Sequence, residues 1–142
     1  MKTSQNFARP AATGFLAAGL FACSLGSSPV VSREMLAHEI ESGTAPVILD
    51  VRLESEYESG HVPGAIHIPF QSVASRHEEI SLDKEQPIVV YCAHGPRAAW
   101  AGRALRNAGY TNVVYLEGHM ASWEKDGLPQ ESKPARNAES EK

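Results

Sequence analysis

The stretch Ile88-Val89-Val90-Tyr91-Cys92-Ala93-His94-Gly95-Pro96-Arg97-Ala98-Ala99-Trp100-Ala101 constrains the fold of this chain more than any other. The β-branched and aromatic residues after Pro87 predict a buried strand. The Ala-rich segment from Arg97 to Asn107, closed by Gly109, predicts a helix. A short polar loop joins the two, and Cys92 stands where strand becomes loop. A thiol placed there faces backbone N–H groups and the positive end of a helix, an environment that lowers a cysteine pKa and supplies thiolate near neutral pH. Gly95 allows backbone angles closed to other residues, and Arg97 puts a permanent cation one short turn from the sulfur, so the loop has the composition of an anion cradle. The competing reading takes Cys92 as a small buried hydrophobe, the ordinary fate of a free cysteine.

The flanking sequence alternates strand and helix signals. Val30-Val31 reads as an edge strand, and Ser32 as the cap of a helix running to Glu41 or Ser42 and stopped by Gly43. After Pro46, Val47 to Val51 is a continuous apolar run of the kind buried on both faces of a sheet. Glu54 to Ser59 forms a short helix ended by Gly60, Ala65 to Ile68 a strand, and Gln71 to Leu82 a polar helical connection. Val113 to Leu116 is a further strand, and Met120 to Lys125 a final helix carrying Trp123. This alternation predicts one small α/β domain over residues 30–128, with a parallel sheet covered on both faces. Asp50 and Arg52 fall at the carboxyl end of a strand, where open parallel sheets place functional side chains. Read alone, they are a capping aspartate and a surface salt bridge.

The two ends differ in kind from this domain. Lys2 and Arg9 precede the apolar run Ala11 to Ala22, with no acidic residue before Glu34, the pattern of a signal peptide over residues 1–22. The run is too short to span a membrane. Leu20-Phe21-Ala22-Cys23 resembles the lipobox of bacterial lipoproteins. That resemblance implies lipidation of Cys23, with Ser24 rather than aspartate after it pointing to the outer membrane; cleavage by an ordinary signal peptidase before Val30 is the alternative. Residues 23–29 read as a linker, and 129–142 as a disordered polar tail. An exported, periplasmic protein is the expectation, touching a membrane only through a lipid anchor. Either route of processing leaves Cys92 as the only free thiol, without an internal disulfide, and a lone cysteine in an oxidising compartment is better explained as reactive than as structural. The formal charge of −4 becomes more negative once Lys2 and Arg9 are removed, which argues against a nucleic-acid partner. The six histidines show no ligand spacing, so no metal site is expected.

Three motifs then fall in order along the domain. The first is Asp50-Val51-Arg52 with Glu56-Tyr57, Gly60-His61-Val62-Pro63-Gly64-Ala65 and Ile68-Pro69. The second is the loop Cys92-Ala93-His94-Gly95-Pro96-Arg97, and the third is Glu117-Gly118-His119 with Trp123. In these motifs the segment from Val30 to Leu128 resembles a single-domain rhodanese, a family of sulfurtransferases. The third motif departs from the family's Gly-Gly-x-x-x-Trp pattern, with Glu117 where a glycine is common and His119 after Gly118. The resemblance implies a three-layer α/β/α fold around a central, mostly five-stranded parallel sheet. It implies thiosulfate sulfurtransferase-type chemistry: Cys92 takes sulfur from a small anionic donor, holds it as a covalent persulfide without a separate cofactor, and passes it to a thiol or to cyanide.

Under the same resemblance Ala93, His94, Gly95, Pro96 and Arg97 form the substrate-binding loop, with Arg97 orienting a sulfonate or fixing the loop, and Asp50 and Arg52 stand behind it. Related phosphatases and arsenate reductases have one more residue between cysteine and arginine, so the four residues here favour sulfur over phosphate. Pro96 either removes an N–H from the cradle or begins the helix, where the missing N–H is harmless. His94 either donates into the pocket or points to solvent. Oligomeric state is not readable. Two other functions stay open: a non-catalytic binding module of this fold, and a periplasmic thiol redox or stress protein.

Overall fold

The computed structural model of the chain describes residues 28–133. The expected signal peptide (1–22), Cys23, most of the expected linker and residues 134–142 of the expected tail lie outside the described residues. The elements run β1 (Val30–Val31), α1 (Arg33–Ser42), β2 (Val47–Asp50), α2 (Glu54–Ser59), β3 (Ile66–His67), α3 (Val73–Arg76), β4 (Ile88–Tyr91), α4 (Pro96–Asn107), β5 (Val113–Leu116) and α5 (His119–Lys125). All strand pairs are parallel, in the spatial order β1-β5-β4-β2-β3. β4 therefore lies at the middle of the sheet, and the residue after it emerges at the centre of the carboxyl edge.

Two cores sandwich this sheet, because consecutive strand residues face opposite sides. Ile88, Val90 and then Cys92 join the cluster formed with Val73, Ala98, Ala101 and Leu105 under α3 and α4. Val89 and Tyr91 join the other cluster, with Leu36 of α1 and Met120 and Trp123 of α5. The buried positions of α4 recur at helical spacing (Ala98, Ala101, Gly102, Leu105), which seats that helix against the sheet and fixes where its first turn meets the loop. Ser32 caps α1 by accepting the Met35 N–H at 3.2 Å, and Gly43 ends it in the left-handed conformation.

Two expectations need correction. The connection after β3 is not one helix: α3 is a single turn between 3-10 turns at Phe70–Ser72 and His77–Glu79. Only Val73 and Ile80 bury apolar side chains there, too few to define a helical stripe. The polar tail was expected from residue 129, yet residues 129–133 are held in place. Trp123 is fully buried and its Nε1–H donates to the Pro129 carbonyl at 2.8 Å. Glu131 forms an antiparallel bridge with His61, through backbone bonds of 2.8 and 2.9 Å. Composition hides such a segment because backbone groups, not side chains, carry it.

Candidate active site

Cys92 follows the last residue of β4 and is 1% exposed. The Gly95 N–H donates to its Sγ at 3.0 Å. Gly95 reaches that geometry with φ of 126°, on the side of the backbone map that L side chains rarely enter, and serves as N-cap of α4. Pro96 is the first residue of α4, where a missing N–H breaks no helical bond. The loop backbone is tied from below by α5: the N–H groups of Met120 and Ala121 donate to the carbonyls of Cys92 and Ala93 at 3.0 and 3.2 Å. The Cys92 N–H itself donates to Nδ1 of His119 at 3.3 Å. His94 is exposed, on the solvent side of the loop.

Arg97 does not stand free over the sulfur. Its guanidinium forms two bonds to the Glu56 carboxylate, of 2.6 and 2.9 Å. One oxygen of Glu56 also accepts the Leu53 N–H at 2.9 Å, at the start of α2. The hydrogen bonds from Arg97 hold the Glu56 carboxyl well below its ordinary range, at about 2, and the same bonds raise the guanidinium. Arg97 thus ties the loop to α2.

Asp50 and Arg52 form a buried unit rather than a surface pair. The β2–β4 register sets Asp50 beside Tyr91, so the segment leaving β2 lies next to the loop leaving β4. Asp50 accepts from the Tyr91 hydroxyl at 2.7 Å, from the Arg52 backbone N–H at 2.9 Å and from Arg52 Nη2 at 2.7 Å. Arg52 Nη2 also donates to the Gly60 carbonyl at 2.6 Å, and the Tyr91 hydroxyl accepts from the Val62 N–H at 3.1 Å. Burial, reinforced by the Asp50 charge, keeps the Tyr91 phenol protonated. Burial opposes the charge on Arg52, and the bonds and charge of Asp50 outweigh it. A cleft of about 240 Å³ opens beside this unit, with Arg52, Glu56 and Ser59 on one side and Ala93, His94 and Met120 on the other. A thiol with one aimed N–H donor, in a loop whose next residues Ala93 and His94 line a small polar cleft, is a site for a compact anion and a nucleophilic sulfur.

The fold and this loop define a class. A family model described as a rhodanese-like domain matches residues 32–126, and the chain belongs to that family. Among its relatives, a sulfurtransferase of Allochromatium vinosum is 34% identical over 46% of this chain and 59% of its own length. The thiosulfate sulfurtransferase GlpE of Actinobacillus succinogenes is 32% identical over 49% of this chain and 60% of its own length. The chain thus spans less than two thirds of these curated relatives. Among solved structures, the Alr3790 protein from Anabaena sp. superposes with a TM-score of 0.65 at 35% identity, covering 72% of this chain and 91% of that one. A rhodanese-related protein from Thermoplasma volcanium gives 0.62 at 30% identity, covering 72% and 97%.

Of the residues singled out in the sequence, the structure brings together Cys92 through Arg97 as one loop. Asp50 and Arg52 lie behind the cleft, and Cys23 lies outside the described residues. Sequence reasoning gave no role to Glu56, Tyr91 or His119. Glu56 stands three residues after Leu53, the spacing of an acidic side chain that reaches back to cap a helix start, and that spacing was its available signal. His119 follows Gly118 in a turn, and nothing local marks its contact with a loop 27 residues away.

Proposed function

We propose that the protein is a sulfurtransferase that carries sulfane sulfur on Cys92. In the first half-reaction the Cys92 thiolate attacks the outer sulfur of thiosulfate. The bond between that sulfur and the sulfonate breaks, sulfite leaves with the bonding pair, and a Cys92 persulfide remains. In the second, a thiolate or cyanide attacks the outer sulfur of the persulfide, and the Cys92 sulfur departs as thiolate. No electrons enter or leave the cycle, and no cofactor is needed. The Gly95 N–H held 3.0 Å from Sγ is the observation that carries this reading, because a donor aimed at sulfur stabilises negative charge that builds there during transfer. Arg97 and Glu56 fix the loop, and Arg52, paired with Asp50, lines the cleft beside it. The relatives named as sulfurtransferases support the same chemistry.

The test is intact-mass spectrometry of the purified protein after exposure to thiosulfate. One added sulfur atom is expected, absent in Cys92→Ala and removed by cyanide with release of thiocyanate. A chain that gains no sulfur from thiosulfate or an organic persulfide is a binding module of this fold instead.

A further inference from the structure

His119 occupies a backbone position made for glycine: its φ is 53°, and among the described residues it is the one non-glycine with positive φ. Imidazole gains little from such a conformation by itself, so its contacts matter. The ring lies across the Cys92 loop. Nδ1 accepts the Cys92 N–H at 3.3 Å, and Nε2 is packed so near Gly95 that a Cβ there would stand 3.2 Å from it. A backbone N–H only donates, so Nδ1 carries no proton and the ring is the neutral Nε2–H tautomer.

We propose that His119 is a positioning residue for sulfur transfer, holding the Cys92 backbone in register as a neutral imidazole and releasing it when Nδ1 is protonated. The groups around it are those of three elements. The loop presents Cys92 and His94. Its own turn carries Glu117, whose carboxylate is engaged by Arg33 of α1 at 3.4 Å. Arg97, beyond the loop, is neutralised by Glu56. Neither carboxylate bonds the ring, so the anion that could offset the loss of the Cys92 bond on protonation is the Cys92 sulfur of the proposed cycle itself. Burial, and then the neighbouring His94, set the His119 pKa below the ordinary 6.5, in the same direction. The position is thus an acid-sensitive brace under the nucleophile.

The rate arm of the test rests on the proposed sulfur transfer; the spectroscopic arm does not. In nitrogen-labelled full-chain protein, NMR is expected to show His119 as the Nε2–H tautomer at neutral pH. The Cys92 amide should shift on acidification with the midpoint of His119, below 6.5. In His119→Asn that amide movement is expected to vanish, because the asparagine oxygen can accept the same bond, tolerates positive φ and does not titrate. Persulfide formation in His119→Asn should be faster than in His119→Gly near neutrality, and should lose the His119 part of the acid decline. His119→Gly removes the acceptor and the backbone strain together. It should load sulfur about threefold to tenfold more slowly, the worth of one hydrogen bond, with a thermal midpoint no lower than the parent's. An Nδ1–H tautomer, a Cys92 amide that ignores the His119 titration, or an identical acid decline in His119→Asn would each overturn the proposal. A parent protein that takes up no sulfur would instead overturn the function, with the NMR result still deciding the role of His119.

Discussion

Glu56 serves two neighbours at once, capping the start of α2 through the Leu53 N–H and clamping Arg97 at the start of α4. Its folded pKa of about 2 lies below the ordinary 4.5, so the unfolded chain binds more protons between those values. The stabilisation is therefore complete above about 4.5 and is lost as pH falls through about 2. With 31% of the Glu56 side chain in contact with solvent, screening reduces its worth. A figure of about 1 kcal/mol is reasonable for such a paired, bidentate contact. Glu56→Gln keeps an acceptor for Leu53 but removes the charge facing Arg97. We expect urea denaturation of this variant at graded pH to show a shallower loss of stability below pH 4.5 than the parent, and persulfide loading to slow severalfold. Equal slopes in the two proteins would show that the pair contributes nothing on folding. Arg97 was legible in sequence as a cation near the sulfur. Its commitment to Glu56 was not, because 41 residues separate them and only the sheet brings them together.

At the scale of elements, the site is a junction of β4, α4 and α5. Strand and helix were legible on both sides of Cys92 because a continuous apolar run and an alanine-rich helical stripe leave few alternatives. The helix start was legible as one of two roles for Pro96, and the structure selects the helical one. The brace from α5 was not legible, since it consists of backbone N–H groups and a ring that no residue type announces. Gly95 is the joint on which these elements turn. A Gly95→Ala substitution would force an alanine to φ of 126° with its Cβ 3.2 Å from His119 Nε2. It is expected to destabilise the fold by about 1–3 kcal/mol, the range for a strained backbone residue. It should also reduce sulfur loading more than the lost stability explains, because the N–H aimed at Sγ must move. Chemical denaturation alongside mass-spectrometric loading separates the two effects, and normal loading in a folded variant would contradict the role given to that N–H.

Across the whole molecule, the segment 129–133 closes the face opposite α4. It satisfies the indole N–H of Trp123 and pairs with His61, whose ring stacks on Tyr57 at 3.7 Å between centroids. A chain ending at Leu128 is expected to unfold at a lower temperature, by the worth of a few hydrogen bonds, about 1–3 kcal/mol. An unchanged midpoint in calorimetry would make the segment ornamental. Its polar sequence concealed it for the reason that made the core visible: burial patterns report apolar side chains, whereas this strap is held by main-chain atoms, the Glu131 carboxylate on the Gly64 N–H and the ion pair of Lys133 with Glu58. The near-complete burial of Cys92 has a final consequence for traffic through the site. A sulfur 1% exposed and packed against the α4 core offers little surface to an incoming molecule. In the proposed cycle the carried atom stands about 2 Å beyond it, the length of a sulfur–sulfur bond. On that proposal, loading would favour slender donors whose terminal sulfur can reach a buried thiol, and unloading would present the carried sulfur farther out than the thiol that bears it.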